Sequence, residues 1–401
     1  MNKLTLNDIE VSGRRVLVRV DFNVPLTQAD DGTQSVADDT RIEAALPTIR
    51  TIINANGKAI LISHLGRPGG QPDPSYSLAP VAERLEELLD KRVRFSSNTT
   101  GQAVQDVIDS MPDGSVILLE NTRFEPGEKA NDEGFAKALA GLADVYVNDA
   151  FGAAHRAHAS TAGVAQFVPQ AAMGLLLKEE VEVLTAVRDT PEHPFVVVLG
   201  GAKVSDKIGV IDALSDTADR LLVGGAMSYT FLKAQGQSVG TSLVEEDRLE
   251  RTREMMDAIG DKLMLPSDHV VAAEMDAEAE TQTVTGDIPD GHMGLDIGPA
   301  TIDAYTQAFD EAATIVWNGP MGVFEMEPFA KGTMAIAEAL ADATQHGAYT
   351  VVGGGDSVAA LAASGYTDAI SHVSTGGGAM LQLLEGGPLP GVEALTDKQP
   401  A

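Results

Sequence analysis

The sequence contains no cysteine, which excludes a disulfide framework, a thiolate zinc site and a cysteine nucleophile. Aromatic residues make up only 4% of its 401 residues, so it offers few side chains that stack on single-stranded nucleic acid. Basic residues are also scarce, because 28 Lys and Arg stand against 59 Asp and Glu and give a net charge of −31. Such an acidic chain repels polyanions, and we expect neither nucleic acid nor an anionic membrane as a partner.

Long apolar segments and the common nucleotide motifs are missing as well. The first ten residues have no apolar signal region, and apolar runs such as residues 195–199 are too short to cross a bilayer, so we expect a soluble cytoplasmic protein. The patterns GxxxxGK[ST] and HExxH do not occur, and no GxGxxG follows the first predicted strand. These absences argue against a P-loop protein, a zinc protease of the HExxH type and a dinucleotide-binding protein.

Hydrophobic residues, at 44% of the chain, are sufficient for packed cores. Short, largely apolar runs of three to five residues are typical of strands that are buried on both faces of a parallel sheet. Such runs lie at residues 16–20, 59–62, 116–119, 145–147, 195–199, 221–223, 315–317 and 349–352. Residues 40–54 and 78–89 instead repeat apolar positions at helical spacing. The alternation of strand, glycine turn and helix predicts an α/β fold.

The two series of strands suggest two sheets of similar size, with a boundary near residues 168–189. Within it, residues 175–187 form an amphipathic helical pattern that suits either a rigid linker or one more surface helix. Charge differs between the parts: residues 1–172 carry 16 basic and 23 acidic side chains, whereas residues 173–401 carry 12 and 36. Eleven of the 16 arginines lie in the first part. Two explanations of this arginine excess stay open. Guanidinium groups form paired hydrogen bonds with phosphate and carboxylate, which suits an anion-binding site, but arginines on a solvated face would give the same number.

Three glycine clusters follow predicted strands of the second half and precede helical patterns, at residues 200–201, 353–355 and 376–378. Free backbone N–H groups in such turns, and at the helix start behind them, bind phosphate. One tight glycine turn is common without any ligand. Three of them at equivalent strand ends favour a ligand, because open α/β sheets bind at those ends.

Cationic side chains follow several strands of the first half. The residues are Arg41, His64, Arg67, Arg123 and Arg156. The carboxyl ends of parallel strands meet at one edge of a sheet, so this pattern predicts a site for a small, multiply charged anion.

Ten segments resemble the phosphoglycerate kinase family, in that family's order and over essentially the whole chain. They are RVDFNVP (19–25), DDTRI (38–42), SHLGRP (63–68), LLENTRF (118–124), DAFGAAHRAHAS (149–160), LGGAKVSDK (199–207), MGLDIGP (293–299), VWNGPMGVFE (316–325), VVGGGDS (351–357) and HVSTGGGA (372–379). The resemblance implies two Rossmann-like lobes with parallel sheets flanked by helices, joined by an interdomain helix and hinge.

The lobes implied by the resemblance are residues 1–170, binding 3-phosphoglycerate or 1,3-bisphosphoglycerate, and residues 191–385, binding MgADP or MgATP. Residues 171–190 would form the helix and hinge, and residues 386–401 would return to the first lobe. The implied reaction is reversible phosphoryl transfer from 1,3-bisphosphoglycerate to ADP in glycolysis, by direct in-line transfer after hinge closure. Mg²⁺ with ADP or ATP is the implied cofactor, and a monomer the implied state.

The resemblance also implies roles for individual residues. Asp21 and Asn23 would bind the glycerate end, and Arg41 would lie nearest the transferred group. The substrate residues carried over are Asp21, Phe22, Asn23, Arg41, His64, Leu65, Gly66, Arg67, Arg123 and Arg156. Of these, His64, Arg67, Arg123 and Arg156 would hold the non-transferred phosphate.

On the nucleotide side, Lys203 would follow the phosphoryl group and Asp356 would be the magnesium ligand. The nucleotide residues carried over are Gly200, Gly201, Ala202, Lys203, Lys207, Gly224, Gly225, Gly294, Asn318, Glu325, Gly353, Gly354, Gly355, Asp356 and Ser357. Catalysis would involve Arg41, Lys203, Gly376, Gly377 and Gly378, whose charges and N–H groups face the phosphoryl group. Because an acyl phosphate is already activated, positioning and electrostatics suffice without a covalent intermediate.

Two other functions are less consistent with the sequence than the one that this resemblance implies. A nicotinamide dehydrogenase lacks its GxGxxG fingerprint here, and a non-catalytic nucleotide-binding protein would not need Arg41, Lys203 and Asp356 together. His155 and His158 are three residues apart, as a metal pair would be, but without a third ligand we interpret them as structural. The acidic surplus is interpreted as a solvated surface suited to a salty cytoplasm, where counterions screen self-repulsion.

Overall fold

The computed structural model describes residues 2–399, which form two compact units. The first comprises residues 2–182 together with 388–399, and the second comprises residues 183–387. The division falls inside one long helix, so each unit contains part of it.

The first unit is built on a six-stranded sheet in which every pair of neighbours is parallel. Its strands are β1 (Arg15–Arg19), β4 (Lys58–Ile62), β5 (Val93–Ser96), β6 (Val116–Leu119), β7 (Val145–Asn148) and β8 (Ala171–Met173), with a separate hairpin of β2 (Leu26–Gln28) and β3 (Gln34–Val36). Its helices are α1 (Thr40–Asn54), α2 (Ala79–Leu89), α3 (Gln102–Asp109), α4 (Glu133–Ala140) and the start of α5 (Leu175–Asp189). The sheet order is β5-β6-β4-β1-β7-β8, so β1 and β4 lie at its centre.

Burial on both faces of this sheet explains its continuous apolar runs. In β1, four successive residues from Val16 are buried, and β6 is buried throughout. The helix α1 covers one face with side chains three or four residues apart, including Ile42, Ile49 and Ile53. The strands predicted in this half and the helix at 40–54 are therefore confirmed.

The second unit repeats the plan with another six-stranded parallel sheet, in the order β11-β10-β9-β15-β16-β17. Its strands are β9 (Phe195–Leu199), β10 (Arg220–Val223), β11 (Leu263–Met264), β12 (Asp268–Ala272), β13 (Gln282–Thr285), β14 (Met293–Ile297), β15 (Thr314–Asn318), β16 (Tyr349–Val352) and β17 (His372–Val373). Its helices are α6 (Ile208–Leu214), α7 (Met227–Ala234), α8 (Leu249–Ile259), α9 (Pro299–Gln307), α10 (Lys331–Gln345), α11 (Gly355–Ser364) and α12 (Gly377–Leu384). The core lies around Trp317, which is completely buried on β15.

One part of the second unit was not anticipated. The strands β13, β12 and β14 form a separate antiparallel sheet. Three of the four residues of β13 are exposed, so this strand lacks the continuous apolar run by which the other strands were predicted.

The last helix, α13 (Pro390–Glu393), belongs to the first unit. Gly391 donates its N–H to Ala154 O, and its carbonyl accepts from Asn148 Nδ2 at 2.9 Å. Thr396 accepts the N–H of Leu4 at its carbonyl. With the bond from the Thr396 N–H to the carbonyl of Ala171, they tie residues 388–399 to β7 and β8 and to the first residues of the chain. Within residues 2–399, no helix is long and apolar enough to cross a membrane.

Candidate active site

The carboxyl ends of β1, β4, β6 and β7 bring the predicted anion-binding residues of the first unit to one edge of the sheet. Arg41 lies in the first turn of α1, and its Nη1 atom is 3.2 Å from Asp21 Oδ2 and 3.4 Å from the carbonyl of Asn23. The Asp21 carboxylate therefore orients this guanidinium, which the sequence could place only at a helix start.

The turn after β4 is held by its neighbours. Asn23 Oδ1 accepts from the Gly66 N–H at 2.8 Å, and the carbonyl of Gly66 accepts from Arg123 Nη1 at 2.7 Å. Asn121 closes the same turn from β6, accepting the Leu65 N–H at 3.2 Å. Segments distant in sequence are thus fixed together by hydrogen bonds between side chains and the backbone of this turn.

Positive charge accumulates at this edge. Burial, with Arg19 and Arg156 nearby, lowers the pKa of Arg123 to about 10. Burial, with Arg19, Arg123 and Arg41 nearby, likewise lowers the pKa of His64 well below its usual value, so this imidazole is neutral at physiological pH. An anion bound here offsets the repulsion among these cations, which adds to the effect of burial on both pKa values.

Two of the predicted cations are exposed rather than enclosed. Arg67 follows the turn at Gly66 and is open to solvent. Arg156 is also exposed, and its Nε atom donates to His155 Nε2 at 2.9 Å. Both side chains are accessible to a ligand from the solvent.

Sequence reasoning missed a buried layer behind these residues. Arg19 is 1% exposed at the end of β1, and its Nε atom donates to Ser160 Oγ at 2.8 Å. Glu128 is fully buried beside Ser160. The available signal was a charged residue inside the run VLVRV, where a parallel central strand normally has apolar side chains.

His155 and His158 do not form part of a metal cluster in the described chain, where no group of three or more His, Asp or Glu is suitably arranged. Burial and the neighbouring arginines Arg123, Arg19 and Arg156 lower the pKa of His158 to about 4. Its Nδ1 atom lies 3.9 Å from Glu128 Oε1. Because the imidazole is neutral at neutral pH, the two groups do not form an ion pair there.

In the second unit, the predicted glycine clusters at residues 200–201, 353–355 and 376–378 lie at the carboxyl ends of β9, β16 and β17, and Gly224 and Gly225 follow β10. A Cβ atom on Gly200 would lie 2.1 Å from Pro320 O, and one on Gly225 would lie 2.6 Å from Gly201 N. Gly225 also has a φ of +65°, and Gly201 one of +105° with open space beside it. Residues 200 and 225 must therefore be glycine because other backbone segments of the protein approach them closely. Gly201, in contrast, leaves room for a ligand.

Lys207 occupies a buried position behind these turns. Its Nζ atom donates to Asn318 Oδ1, and Asn318 Nδ2 donates to the carbonyl of Gly353 at 2.7 Å. Burial lowers the pKa of Lys207 to about 8, against the opposing effect of Asp206, Asp356 and Glu385. This lysine therefore loses its charge in a pH range where enzymes are assayed.

Two helices begin at the carboxyl ends of β16 and β17. Gly354 precedes the first turn of α11, which contains the exposed Asp356, and Gly376 precedes the first turn of α12. A Cβ atom on Gly377 would lie 2.8 Å from Gly354 Cα, so glycine brings the two helix starts together. Their unbonded N–H groups form a suitable site for a phosphate.

The remaining predicted nucleotide residues lie at separate places in the second unit. Ser357 accepts the Gly319 N–H at 2.5 Å and so supports the turn after β15. Gly294 lies on β14, where a Cβ atom would lie 2.0 Å from Tyr229 Oη. Lys203 and Glu325 are exposed on loops.

Comparison with known proteins decides the family. The family model described as phosphoglycerate kinase matches residues 6–387. The chain belongs to the phosphoglycerate kinase family. Among phosphoglycerate kinases, that of Salinibacter ruber is 66% identical over 397 residues, covering 99% of this chain and all of the relative, and that of Clostridium novyi is 54% identical over 404 residues, covering 99% of this chain and all of the relative.

Solved phosphoglycerate kinases have the same fold. The structure from Coxiella burnetii is 41% identical, with a TM-score of 0.86 and 98% of each chain covered. That from Pyrococcus horikoshii is 33% identical, with a TM-score of 0.84 and the same coverage. The predicted fold of two α/β units with parallel sheets is therefore confirmed, as is the predicted family.

The activity follows from the phosphoglycerate kinase family. The chain is a kinase that transfers a phosphoryl group to or from a carboxyl group, and its substrates are small molecules. The reaction converts 1,3-bisphosphoglycerate and ADP into 3-phosphoglycerate and ATP, reversibly, as a step of glycolysis.

Proposed function

We propose that the first unit binds 3-phosphoglycerate or 1,3-bisphosphoglycerate at the carboxyl edge of its sheet. The observation that carries this proposal is the convergence of Arg41, His64 and Arg123 at that edge, where the pKa values of His64 and Arg123 are lowered. The full proposed set is Asp21, Phe22, Asn23, Arg41, His64, Leu65, Gly66, Arg67, Arg123 and Arg156. Asp21 and Asn23 bind the hydroxyl and carboxyl end of the glycerate, and the cations hold the phosphate that is not transferred.

The second unit binds ADP or ATP in this proposal. The glycine turns at 200–202 and 224–225, together with Gly294, Asn318 and Glu325, receive the adenosine. The phosphates lie against Lys203, Lys207 and the turn at 353–357. Two helix starts that approach each other, at Gly354 and Gly377, support this assignment because helix N-termini bind phosphate.

Magnesium is the cofactor that suits the phosphate end. Asp356 is an exposed carboxylate in the first turn of α11, and no cluster of three or more ligating side chains exists in residues 2–399. One carboxylate with nucleotide oxygens is a usual ligand set for Mg²⁺, which neutralises phosphate charge when bound. Asp356 would hold it from the protein side.

Transfer needs positioned charge and no covalent intermediate. Arg41 is held by Asp21, and Lys203 and the N–H groups of Gly376, Gly377 and Gly378 receive the phosphoryl group. Fixed donors of this kind stabilise a phosphoryl group whose charge spreads over its oxygens.

Three further points are proposals of the same kind. Transfer is direct and in line and follows hinge closure that involves residues 171–190 and 386–401. Small-angle scattering tests this, since an unchanged radius of gyration with both substrates bound would count against it. The protein is cytoplasmic and monomeric, which cell fractionation and analytical ultracentrifugation check.

A coupled assay tests the whole assignment. Purified protein receives ATP, Mg²⁺ and 3-phosphoglycerate, and the acyl phosphate formed is trapped by reduction. We expect turnover that depends on all three components. Absence of magnesium-dependent turnover in folded protein would contradict the proposal.

A further inference from the structure

The proposed substrate contacts give no role to Arg19, the last residue of β1. Arg19 is 1% exposed and distributes its guanidinium over three acceptors. Its Nε atom donates to Ser160 Oγ at 2.8 Å, its Nη1 atom donates to the carbonyl of Val20, and its Nη2 atom lies 3.0 Å from His64 Nδ1. A buried charge with this many fixed bonds is held in one orientation.

The bond to His64 specifies the position of a proton. A guanidinium has donors only, so His64 Nδ1 must be the acceptor. A neutral imidazole with an unprotonated Nδ1 atom carries its proton on Nε2. His64 Nδ1 is also 3.7 Å from Asp21 Oδ1, which is buried without a hydrogen-bond partner. That orphaned oxygen is what the Nε2–H form predicts, because Nδ1 has no proton to give it.

The positively charged groups near His64 act in the same direction. Burial is the main reason why the pKa of His64 is lowered, and the positive charges of Arg19, Arg123 and Arg41 lower it further. The nearby carboxylate of Asp21 acts in the opposite direction, because a negative charge favours a positive imidazole.

The buried carboxylate of Glu128 holds Arg19 in place through Ser160. Ser160 Oγ donates to Glu128 Oε1 at 2.5 Å, and the Ser160 N–H donates to Oε2 at 3.0 Å. Because its hydroxyl hydrogen is committed to Glu128, Ser160 Oγ presents lone pairs to Arg19 Nε. The four residues form one chain of hydrogen bonds, from Glu128 through Ser160 and Arg19 to His64.

We propose that Arg19 is a positioning residue which, backed by Ser160 and Glu128, holds His64 as the neutral Nε2–H tautomer and so makes it an uncharged N–H donor to the phosphoglycerate. The second half of this statement rests on the proposed substrate role of His64. The first half concerns the ligand-free protein alone. We call the hydrogen-bonded chain from Glu128 to His64 the relay. It fixes the direction in which His64 donates a hydrogen bond, whereas the positive charge of the site comes from its arginines.

The tautomer is measured on the unmodified protein. Nitrogen-15 NMR of the imidazole rings distinguishes a protonated from an unprotonated nitrogen, and the His64 signals are assigned by their loss in His64→Gln. We expect an unprotonated Nδ1 and a protonated Nε2 throughout the neutral range. A proton on Nδ1, or a mixture of the two forms, would overturn the proposal without any variant of Arg19.

The relay is tested with Ser160→Ala, which removes the atom between Glu128 and Arg19. We expect a mixed His64 tautomer and a KM for 3-phosphoglycerate raised about two- to tenfold, with kcat nearly unchanged, because one hydrogen-bonded unit is loosened. Thr99→Ala is the matched control: this buried hydroxyl donates to Glu125 Oε1 at 2.8 Å in the same unit. Equal results for the two variants would overturn the relay.

The readouts separate this proposal from the proposed function. Calorimetry of the unmodified protein with 3-phosphoglycerate tests the substrate site. If no binding is detected while His64 is the Nε2–H tautomer, the substrate assignment is wrong and the first half of the proposal stands. If binding is normal and His64 carries its proton on Nδ1, the proposal is wrong and the substrate site stands.

Discussion

Lys207 Nζ donates to Asn318 Oδ1 in the interior of the second unit, and burial brings the pKa of this lysine down to about 8. The bond joins the segment after β9 to the end of β15. The contact with nucleotide phosphates that is proposed for Lys207 requires its proton, so the lowered pKa has a direct consequence for that proposal.

We therefore predict that ADP binds more weakly as pH rises. Phosphate favours the protonated lysine, whereas free protein loses that proton above its pKa. The Kd for ADP should rise between about pH 7.5 and about pH 9.5, approaching about tenfold per pH unit at the upper end. Calorimetry in buffers of matched ionic strength measures this. Lys207→Met should bind weakly at every pH and remove the slope, and a slope that persists in Lys207→Met would contradict the assignment.

Removal of the charge on Arg41 or Lys203 should reduce turnover far more than stability. Loss of one donor aimed at developing charge costs about 2.7–4 kcal/mol, or about 10²–10³ in kcat. Steady-state kinetics of Arg41→Ala and Lys203→Ala test this prediction. Arg50→Ala is a control on the same helix, where Arg50 donates to Leu88 O near the surface. Lys233→Ala, at a half-buried lysine that pairs with Glu246, is the control for Lys203. Near-normal turnover in either site variant would mean that its role is wrongly assigned.

Asp356→Asn should weaken use of the metal nucleotide specifically. The carboxylate supplies the one charged protein ligand proposed for Mg²⁺, and an amide is a poorer ligand for a hard cation. We expect a higher Mg²⁺ requirement and a higher KM for MgADP, measured by titrating the metal at fixed ADP. Asp303→Asn, an exposed change on α9, should behave as the unmodified protein does. Equal metal titrations for the two variants would argue against the assignment.

Asp149 should make stability depend on pH in an unusual direction. It is fully buried after β7, and Asp149 Oδ1 accepts the N–H groups of Leu176 at 3.0 Å and Leu177 at 3.3 Å, at the start of α5. Burial raises its pKa from 3.8 to about 7. The folded state therefore takes up a proton more readily than the unfolded state does, which stabilises it fully below the unfolded pKa and not above pH 7.

Asp149→Asn cannot titrate, so comparing it with the unmodified protein isolates this effect. As pH falls from about 7 to about 4, the free energy of unfolding of the unmodified protein should rise relative to the variant by up to about 1.4 kcal/mol per pH unit. Denaturant unfolding at several pH values measures the difference. A constant difference would show that Asp149 is ionised throughout.

The acidic surplus should make the fold dependent on salt. With a net charge of −31, like charges repel at low ionic strength, and counterions screen them. We expect the thermal midpoint to rise from low to molar KCl, as measured by calorimetry. A midpoint that stays flat or falls would refute the interpretation of the surface as an adaptation to a salty cytoplasm.

The α/β class, the positions of the main strands and helices, and the family could all be predicted from the amino-acid sequence. These features depend on local signals: the apolar runs of β1 and β9, the helical spacing of residues 40–54, and long motifs whose order is preserved. The short edge strands and the antiparallel sheet around β12 lacked such a signal and were not predicted.

Only the tertiary structure decided which side chains meet behind the motifs. Arg19 and Ser160 are 141 residues apart, and Lys207 and Asn318 are 111 apart, so no periodicity connects them. The protonation states of His64 and Lys207 follow from burial and from neighbouring charges that the fold assembles. The sequence thus names the groups that face the substrates, whereas the packing of distant segments sets the charge and orientation with which they do so.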